Sequence, residues 1–284
     1  MEVAQKTYIC CFWKICNMKE SIIRGLSGVL YISILVVSIF ASEFAFTTLF
    51  LLFGIICLRE LQRLLHLKSY LGYFLLIGFF YIFSYMRWSP YATMVLLLIT
   101  IFVNLFLIKD LMLVNKIPLF EKKKYVIIIF YLIASMIFLT LIPSYTGDFT
   151  PELVVGIFSL IWINDTFAYL VGKNFGRKKL FERISPKKTV EGFLGGLLFS
   201  AVAAYLVYFF TGLLDLHTWV GLAIILSIFG TFGDLIQSKF KRQAGVKDSG
   251  KLMPGHGGLF DRLDSIIFAS PFVYAYLHLL NYVS

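Results

Sequence analysis

Nine apolar segments with almost no charged residues dominate this 284-residue sequence. One α-helical crossing of a bilayer needs about 17–25 consecutive, mostly apolar residues. Segments of this kind lie at residues 24–42, 43–58, 70–86, 90–108, 125–142, 153–172, 191–213, 218–236 and 265–283. The second and third are short, and the break between the first and second depends on Ser42 and Glu43 alone. The sequence therefore predicts an all-α, polytopic integral membrane protein with about nine transmembrane helices.

The positive charges support this topology. If the chain crosses nine times, all its Lys and Arg residues except Arg87 lie on one side. Such an excess marks the cytoplasmic face. The net charge of +10 then reflects topology and attraction to anionic lipid headgroups, not nucleic-acid binding. We expect a multi-pass protein of the inner (cytoplasmic) membrane, in contact with the lipid bilayer and with its active site on the cytoplasmic face.

The distribution of polar residues predicts three regions. Residues 1–23 form a cytoplasmic tail, residues 24–150 an N-terminal scaffold of five helices, and residues 151–284 a catalytic region of four helices. From Ile161 onward, polar groups enter the apolar segments and the cytoplasmic connections lengthen. The spacing of the cysteines fits no metal site, so Cys10, Cys11, Cys16 and Cys57 are expected to be free thiols. Met18, just before the first segment, is a candidate native start.

Three carboxylates adjoin the last two apolar segments. Asp261 and Asp264 are three residues apart where the last segment begins, so on a helix they share a face. Asp234 ends the eighth segment, where Gly230 and Gly233 allow close approach of a neighbouring backbone. Carboxylates at a membrane edge suit Mg²⁺ shared with substrate phosphates. The alternative is that Arg262 and Arg242 pair with these acids and only fix the loop.

Residues 185–189, Ser-Pro-Lys-Lys-Thr, precede the seventh segment. Ser185 as N-cap and Pro186 at the first helical position predict a helix start here. Lys187 and Lys188 would then oppose the helix dipole unless an anion binds there. We therefore expect a phosphate contact, although lysines that merely anchor the membrane edge are the alternative.

The run Pro254-Gly255-His256-Gly257-Gly258 predicts a backbone arch that leads into Asp261. Its glycines permit positive φ and close approach of N–H groups to an anion. His256 either contacts a phosphate or bonds to the loop. Lys247 is a candidate phosphate contact, and Asp248 is either a site residue or a solvated ion-pair partner. Asp165, inside the sixth segment, should face the bundle interior as a further acid of the site or as a structural group.

These residues resemble the signature of the phosphatidate cytidylyltransferase (CDP-diacylglycerol synthase) family. The resemblance covers about residues 161–265, and Met253 departs from the Leu, Ile or Phe that the family more often has. The matching residues are Ser238-x-Phe240-Lys241-Arg242, Lys247-Asp248-x-Gly250 and Pro254-Gly255-His256-Gly257-Gly258-x2-Asp261-Arg262-x-Asp264, with Ser185–Gly192 and the Asn164-Asp165 region upstream.

The resemblance implies that CTP and phosphatidic acid give CDP-diacylglycerol and pyrophosphate. It also implies an all-helical homodimer with a Mg²⁺-dependent site, which can hold a second cation. Asp234, Asp261 and Asp264 would be the metal ligands. The predicted catalytic residues are Asp234, Asp261, Asp264, Lys247 and Asp248. The predicted substrate-binding residues are Ser185, Lys187, Lys188, Lys241, Arg242, His256, Gly257, Arg262 and Asp165.

Two other functions remain open from the residues. A cytidylyltransferase or kinase acting on another lipid would have nearly the same headgroup motifs. A membrane transporter would explain the many apolar segments and the buried Asp165. Transporters, however, usually place their polar residues near midplane in two related halves, whereas here they concentrate at one face of one half.

Overall fold

The computed structural model describes residue 23 and residues 25–114, 116–255 and 257–283. Four residues considered above, Cys10, Cys11, Cys16 and Met18, lie outside the described residues, as does His256. The helices in chain order are α1 (Gly25–Ala41), α2 (Glu43–Leu64), α3 (Leu71–Tyr85), α4 (Pro90–Leu113), α5 (Glu121–Ser144), α6 (Pro151–Phe175), α7 (Val190–Thr211), α8 (Leu216–Gln243) and α9 (Phe260–Val283). Two short strands, β1 (Lys179–Phe181) and β2 (Ser185–Thr189), connect α6 to α7.

Every predicted apolar segment corresponds to one of these helices. The weakest predicted boundary is confirmed, because Ser42 separates α1 from α2 and its hydroxyl accepts a hydrogen bond from the N–H of Ala45 at 3.0 Å. Across the described ranges, seven helices are long and apolar enough to cross a membrane, while α1 and α3 are shorter. The protein is thus a helical, multi-pass membrane protein. The count of nine crossings stays a prediction.

Helix α5 lies in the middle of the bundle and is the most buried of the seven long helices. Its Tyr131 ring packs against Phe240 of α8 and against Phe260 and Phe268 of α9, with centroids 5.9–6.2 Å apart. Tilted and edge-on aromatic pairs of this kind stabilise a core beyond the area that they bury. A helix of the N-terminal half therefore supports the two helices that contain the predicted metal ligands. The proposed division near residue 150 stays a prediction.

Helices α6 to α9 pack consecutively, α6 on α7, α7 on α8 and α8 on α9. Glycines make these approaches possible. A Cβ on Gly192 would lie 2.7 Å from the carbonyl oxygen of Ala168, and one on Gly233 would lie 2.6 Å from that of Asp264. These contacts show that Gly192 serves helix packing and confirm that Gly233 admits a neighbouring backbone.

The predicted helix start at Ser185 is wrong. Residues Ser185–Thr189 form β2, which pairs antiparallel with β1, and α7 begins only at Val190. Thr189 is the actual N-cap, since its hydroxyl accepts a hydrogen bond from the N–H of Gly192 at 3.1 Å. Thr189 caps α7 in place of Ser185 because Thr189 also packs against the backbone of α6 near Gly172. Lys187 and Lys188 therefore extend from a strand and do not oppose a helix dipole.

Candidate active site

A cavity of about 700 Å³ lies between α6, the β1–β2 hairpin, α7, α8 and α9. Its wall contains acids and cations together, which is rare in a bundle that is otherwise apolar. The sequence-predicted residues that line it are Asp165, Lys187, Lys188, Asp234, Lys241, Asp248, Asp261, Arg262 and Asp264. Residues scattered over a hundred positions of the chain are thus brought to one place.

The three predicted metal ligands reach this cavity from two adjacent helices. Asp261 and Asp264 lie in the first turns of α9 and share a face, as their spacing predicts. Asp234 does not end its helix, because α8 continues to Gln243. The close contact of α8 with α9 at Gly233 brings the next residue, Asp234, beside the start of α9.

Two lysines form ion pairs with two of these acids. Lys188 Nζ lies 2.6 Å from Asp234 Oδ2, and Lys241 Nζ lies 2.8 Å from Asp261 Oδ1. The side chains of Lys188 and Asp234 are about one-third exposed, at 29% and 32%, so water and ligands can reach this pair. For Asp234 and Asp261, lysines take the place that the alternative gave to Arg242. Arg242 instead donates to the carbonyl of Val246 at 3.3 Å.

The acids outnumber the lysines at the inner end of the cavity. Asp264 is repelled by Asp234 and Asp165 and attracted by Lys241 and Lys188. Its Oδ1 accepts a hydrogen bond from the N–H of Ser265 at 2.8 Å. This mixed electrostatic field suits a ligand that itself combines negative phosphates with a cation.

The predicted arch is present. Met253 and Gly257 exchange two backbone hydrogen bonds, of 2.9 and 3.1 Å, and Gly255 and Gly257 have φ of +74° and +91°. The arch is fastened to Asp261, whose Oδ2 accepts hydrogen bonds from the N–H of Ser249 at 2.9 Å and of Gly258 at 3.0 Å. Asp261 therefore shapes the loop as well as lining the cavity.

Four predicted site residues do not line this cavity: Ser185, Arg242, Lys247 and Gly257. Ser185 lies at the far end of β2, and Arg242 and Lys247 are exposed on the loop side. Gly257 lies against Asp261 and Asp248, because a Cβ there would be 2.9 Å from Asp261 Oδ2. The substrate contacts proposed for these residues stay predictions, and the one proposed for His256 falls outside the described residues.

The donor atoms around the cavity fit a hard divalent cation in kind. Asp234, Asp261 and Asp264 offer only oxygen, the ligand type that Mg²⁺ prefers, and leave room for substrate phosphates. In the present arrangement, no group of three or more His, Cys, Asp or Glu side chains among the described residues is spaced to hold a metal ion. Binding would require Lys188 to move away from Asp234.

A smaller cavity of about 400 Å³ adjoins the first and shares Asp165, Asp261, Arg262 and Asp264 with it. Its other wall is mostly apolar and comes from α1 and α6. The residues on that wall include Gly28, Tyr31, Ile32, Phe158, Ile161 and Trp162. The polar site is therefore continuous with a surface that suits an apolar ligand.

Sequence reasoning missed Glu60, which lies near the end of α2. Its side chain is only 7% exposed. It accepts hydrogen bonds from Ser249, in the loop before α9, and from Phe260, the residue before Asp261 in α9. Helical periodicity could have located it on the buried face. Its neighbours three residues before and four after, Cys57 and Leu64, are both buried.

Comparison with known proteins identifies the family of this chain. The family described as "Cytidylyltransferase family" matches residues 22–280. Proteins named phosphatidate cytidylyltransferase from Staphylococcus aureus (strain COL) and Staphylococcus haemolyticus (strain JCSC1435) are 48% and 50% identical over 116 residues. That segment is 40% of this chain, and the chain spans 44% of the length of each relative. Since the family match extends over nearly the whole sequence, the chain belongs to the cytidylyltransferase family.

Proposed function

We propose that this protein transfers the cytidylyl group of CTP to phosphatidic acid, which yields CDP-diacylglycerol and pyrophosphate in phospholipid biosynthesis. The observation that supports it best is the cavity in which acids and lysines from β2, α8 and α9 meet beside an apolar cleft. One substrate is a water-soluble polyanion and the other has two acyl chains, so a site with both environments suits the pair.

In the proposed reaction, a phosphate oxygen of phosphatidic acid attacks the α-phosphorus of CTP. The new P–O bond forms as the bond to the bridging oxygen of pyrophosphate breaks, and pyrophosphate leaves with that electron pair. The second pKa of a phosphate monoester is about 6, so the nucleophile is already anionic near neutral pH and needs no general base. The barrier comes from bringing two polyanions together, which cationic side chains can offset.

Six cations line the cavity: Lys173, Lys179, Lys187, Lys188, Lys241 and Arg262. We assign Lys187 and Lys188 to the triphosphate, because both belong to β2 and line the cavity. Arg262 lies on the wall that the two cavities share, which suits the phosphate of the lipid. Lys241 stays with Asp261 and fixes the orientation of that carboxylate.

Mg²⁺ is the proposed cofactor, with Asp234 and Asp264 as its principal ligands and Asp261 beside them. When bound, it would neutralise phosphate charge and polarise the α-phosphorus. The triphosphate would then draw Lys188 from Asp234, so that this carboxylate exchanges one cation for another.

The finer topology is also proposed. Nine crossings would place the hairpin, the arch and the start of α9 on the cytoplasmic side of the inner membrane, where CTP is found. Labelling single cysteines at residues 182 and 214 with an impermeant reagent tests this, because the two should lie on opposite sides. Homodimer formation is proposed from the family resemblance, and the mass of the purified protein in detergent tests it.

The activity test uses the purified full chain in detergent with CTP, phosphatidic acid and Mg²⁺. We expect pyrophosphate release together with a cytidine-containing lipid. Parallel reactions with dCTP and ATP, and with a diacylglycerol in place of phosphatidic acid, separate the proposed reaction from that of a lipid kinase. Folded protein that forms neither product would refute the assignment.

Asp264→Asn is the most direct site variant. It removes one carboxylate charge without changing shape, and we expect near-complete loss of turnover with normal membrane insertion. Retained activity would remove Asp264 from the proposed metal site.

A further inference from the structure

Glu60 is an acid of the N-terminal half whose side chain is buried against the C-terminal half. It lies near the end of α2 and is 7% exposed. An isolated buried carboxylate costs several kcal/mol unless hydrogen bonds or charges compensate it. Its partners therefore indicate why the chain retains an acid at this position.

Those partners all lie next to the active site. Glu60 Oε2 accepts hydrogen bonds from the hydroxyl of Ser249 at 2.6 Å and from the N–H of Phe260 at 3.0 Å. Glu60 Oε1 accepts one from the N–H of Leu259 at 3.2 Å. Phe260 is the first residue of α9 and Leu259 directly precedes it, so Glu60 satisfies N–H groups that the helix itself leaves unpaired. The positive end of the helix dipole also favours an anion there.

The loop is shaped to receive this carboxylate. A Cβ at Gly250 would collide with Glu60 Oε1, and one at Gly258 would collide with Oε2. Ser249 links Glu60 to the site, since its hydroxyl lies 2.6 Å from Glu60 and 3.0 Å from Asp261 Oδ2. Glu60 and Asp261 thus hold the same loop from opposite sides.

We propose that Glu60 is a positioning residue, which fixes the start of α9 and the arch so that Asp261 and Asp264 face the reacting phosphates. Glu60 lines neither the cavity of the site nor the adjoining one. It acts by orienting a helix N-terminus from a distant part of the chain. The expected effect of Glu60 on kcat rests on the proposed function. Its effect on the arch and on the start of α9 does not.

The test compares Glu60→Gln with Gln62→Leu in the full chain. Glu60→Gln keeps the shape of the side chain but replaces one acceptor oxygen with an NH₂ group, which cannot accept from a backbone N–H. Gln62, two residues along the same helix, is also buried, but it donates to the carbonyl of Ser69, away from the cavity. Gln62→Leu therefore also removes a buried hydrogen bond of α2 without touching the loop.

For Glu60→Gln we expect kcat to fall about 10²-fold, the effect expected when reacting groups are displaced by about 1 Å. The KM for CTP should change little, because the lysines that contact its phosphates stay in place. Gln62→Leu should lower thermal stability without lowering kcat per folded molecule. Hydrogen exchange of residues 249–262 should accelerate in Glu60→Gln and not in Gln62→Leu.

Three outcomes would overturn the proposal: an unchanged kcat in Glu60→Gln, an equal loss of kcat in Gln62→Leu, or unchanged exchange at residues 249–262. If Glu60→Gln does not fold, Ser249→Ala removes a single donor and should still accelerate exchange at Leu259 and Phe260. Unchanged exchange in that variant would also overturn it. Wild-type protein that is inactive with CTP and phosphatidic acid would instead refute the proposed function, while the exchange measurements would still test the role of Glu60.

Discussion

Gly233 sets the distance between the two helices that contain the predicted metal ligands. A Cβ at this position would lie 2.6 Å from the carbonyl oxygen of Asp264 and 2.7 Å from the Cβ of Phe268. Carbon atoms in contact prefer separations of about 3.5–4.0 Å, so Gly233→Ala requires α8 and α9 to separate by about 1 Å. Overpacking of this kind costs about 1–3 kcal/mol.

The same displacement moves Asp234 relative to Asp264. A misplacement of about 1 Å can lower a rate about 10²-fold, so we expect the loss of kcat in Gly233→Ala to exceed the loss of stability. The assay follows transfer of labelled CTP into lipid by purified protein, with the melting temperature measured on the same samples.

Gly230→Ala is the matched control. It lies one turn earlier on α8, and its Cβ would meet Ser265 at 3.4 Å, an ordinary contact. This variant should therefore retain both activity and stability. If Gly233→Ala has the same kcat as Gly230→Ala, the argument that close helix contact aligns the acids is wrong.

Two further predictions concern lysines with different tasks. Lys188→Met removes the partner 2.6 Å from Asp234, and we expect kcat/KM for CTP to fall about 10²-fold, as when one charge-stabilising group is lost. Lys239 is 2% exposed and donates to the carbonyls of Asp110, Leu111 and Val114 at the end of α4, at 2.6–3.2 Å. Lys239→Met removes these three hydrogen bonds from the end of α4, so we expect about 1–3 kcal/mol of destabilisation in a thermal melt, with unchanged kcat per folded molecule.

Each lysine prediction has a result that would contradict it, and Lys188→Met also has a control variant. Lys251→Met removes an exposed cation of the loop between α8 and α9 that does not line the cavity, and its kcat/KM should match that of the wild type. A similar loss in Lys251→Met and Lys188→Met would indicate a general charge effect. For Lys239→Met, an unchanged melting temperature would show that the three hydrogen bonds contribute little to stability.

Local sequence determined the helices and part of the site. Apolar segments of bilayer length predicted where each helix lies, because burial of apolar surface and internal backbone hydrogen bonding both depend on consecutive residues. The spacing of Asp261 and Asp264 predicted their common face, and the glycines around His256 predicted an arch with positive φ. These features depend on a few neighbouring residues, so a single sequence suffices to find them.

Tertiary structure decided how these parts meet. Ser185 was the predicted cap, but the pairing of β2 with β1 and the packing of Thr189 near Gly172 make Thr189 the actual one. Lys188 reaches Asp234 from another element, and Glu60 reaches Phe260 across 200 positions of the chain. Such partners depend on which helices pack together. The packing of the helices is set by the whole buried surface, so a short stretch of sequence does not predict it.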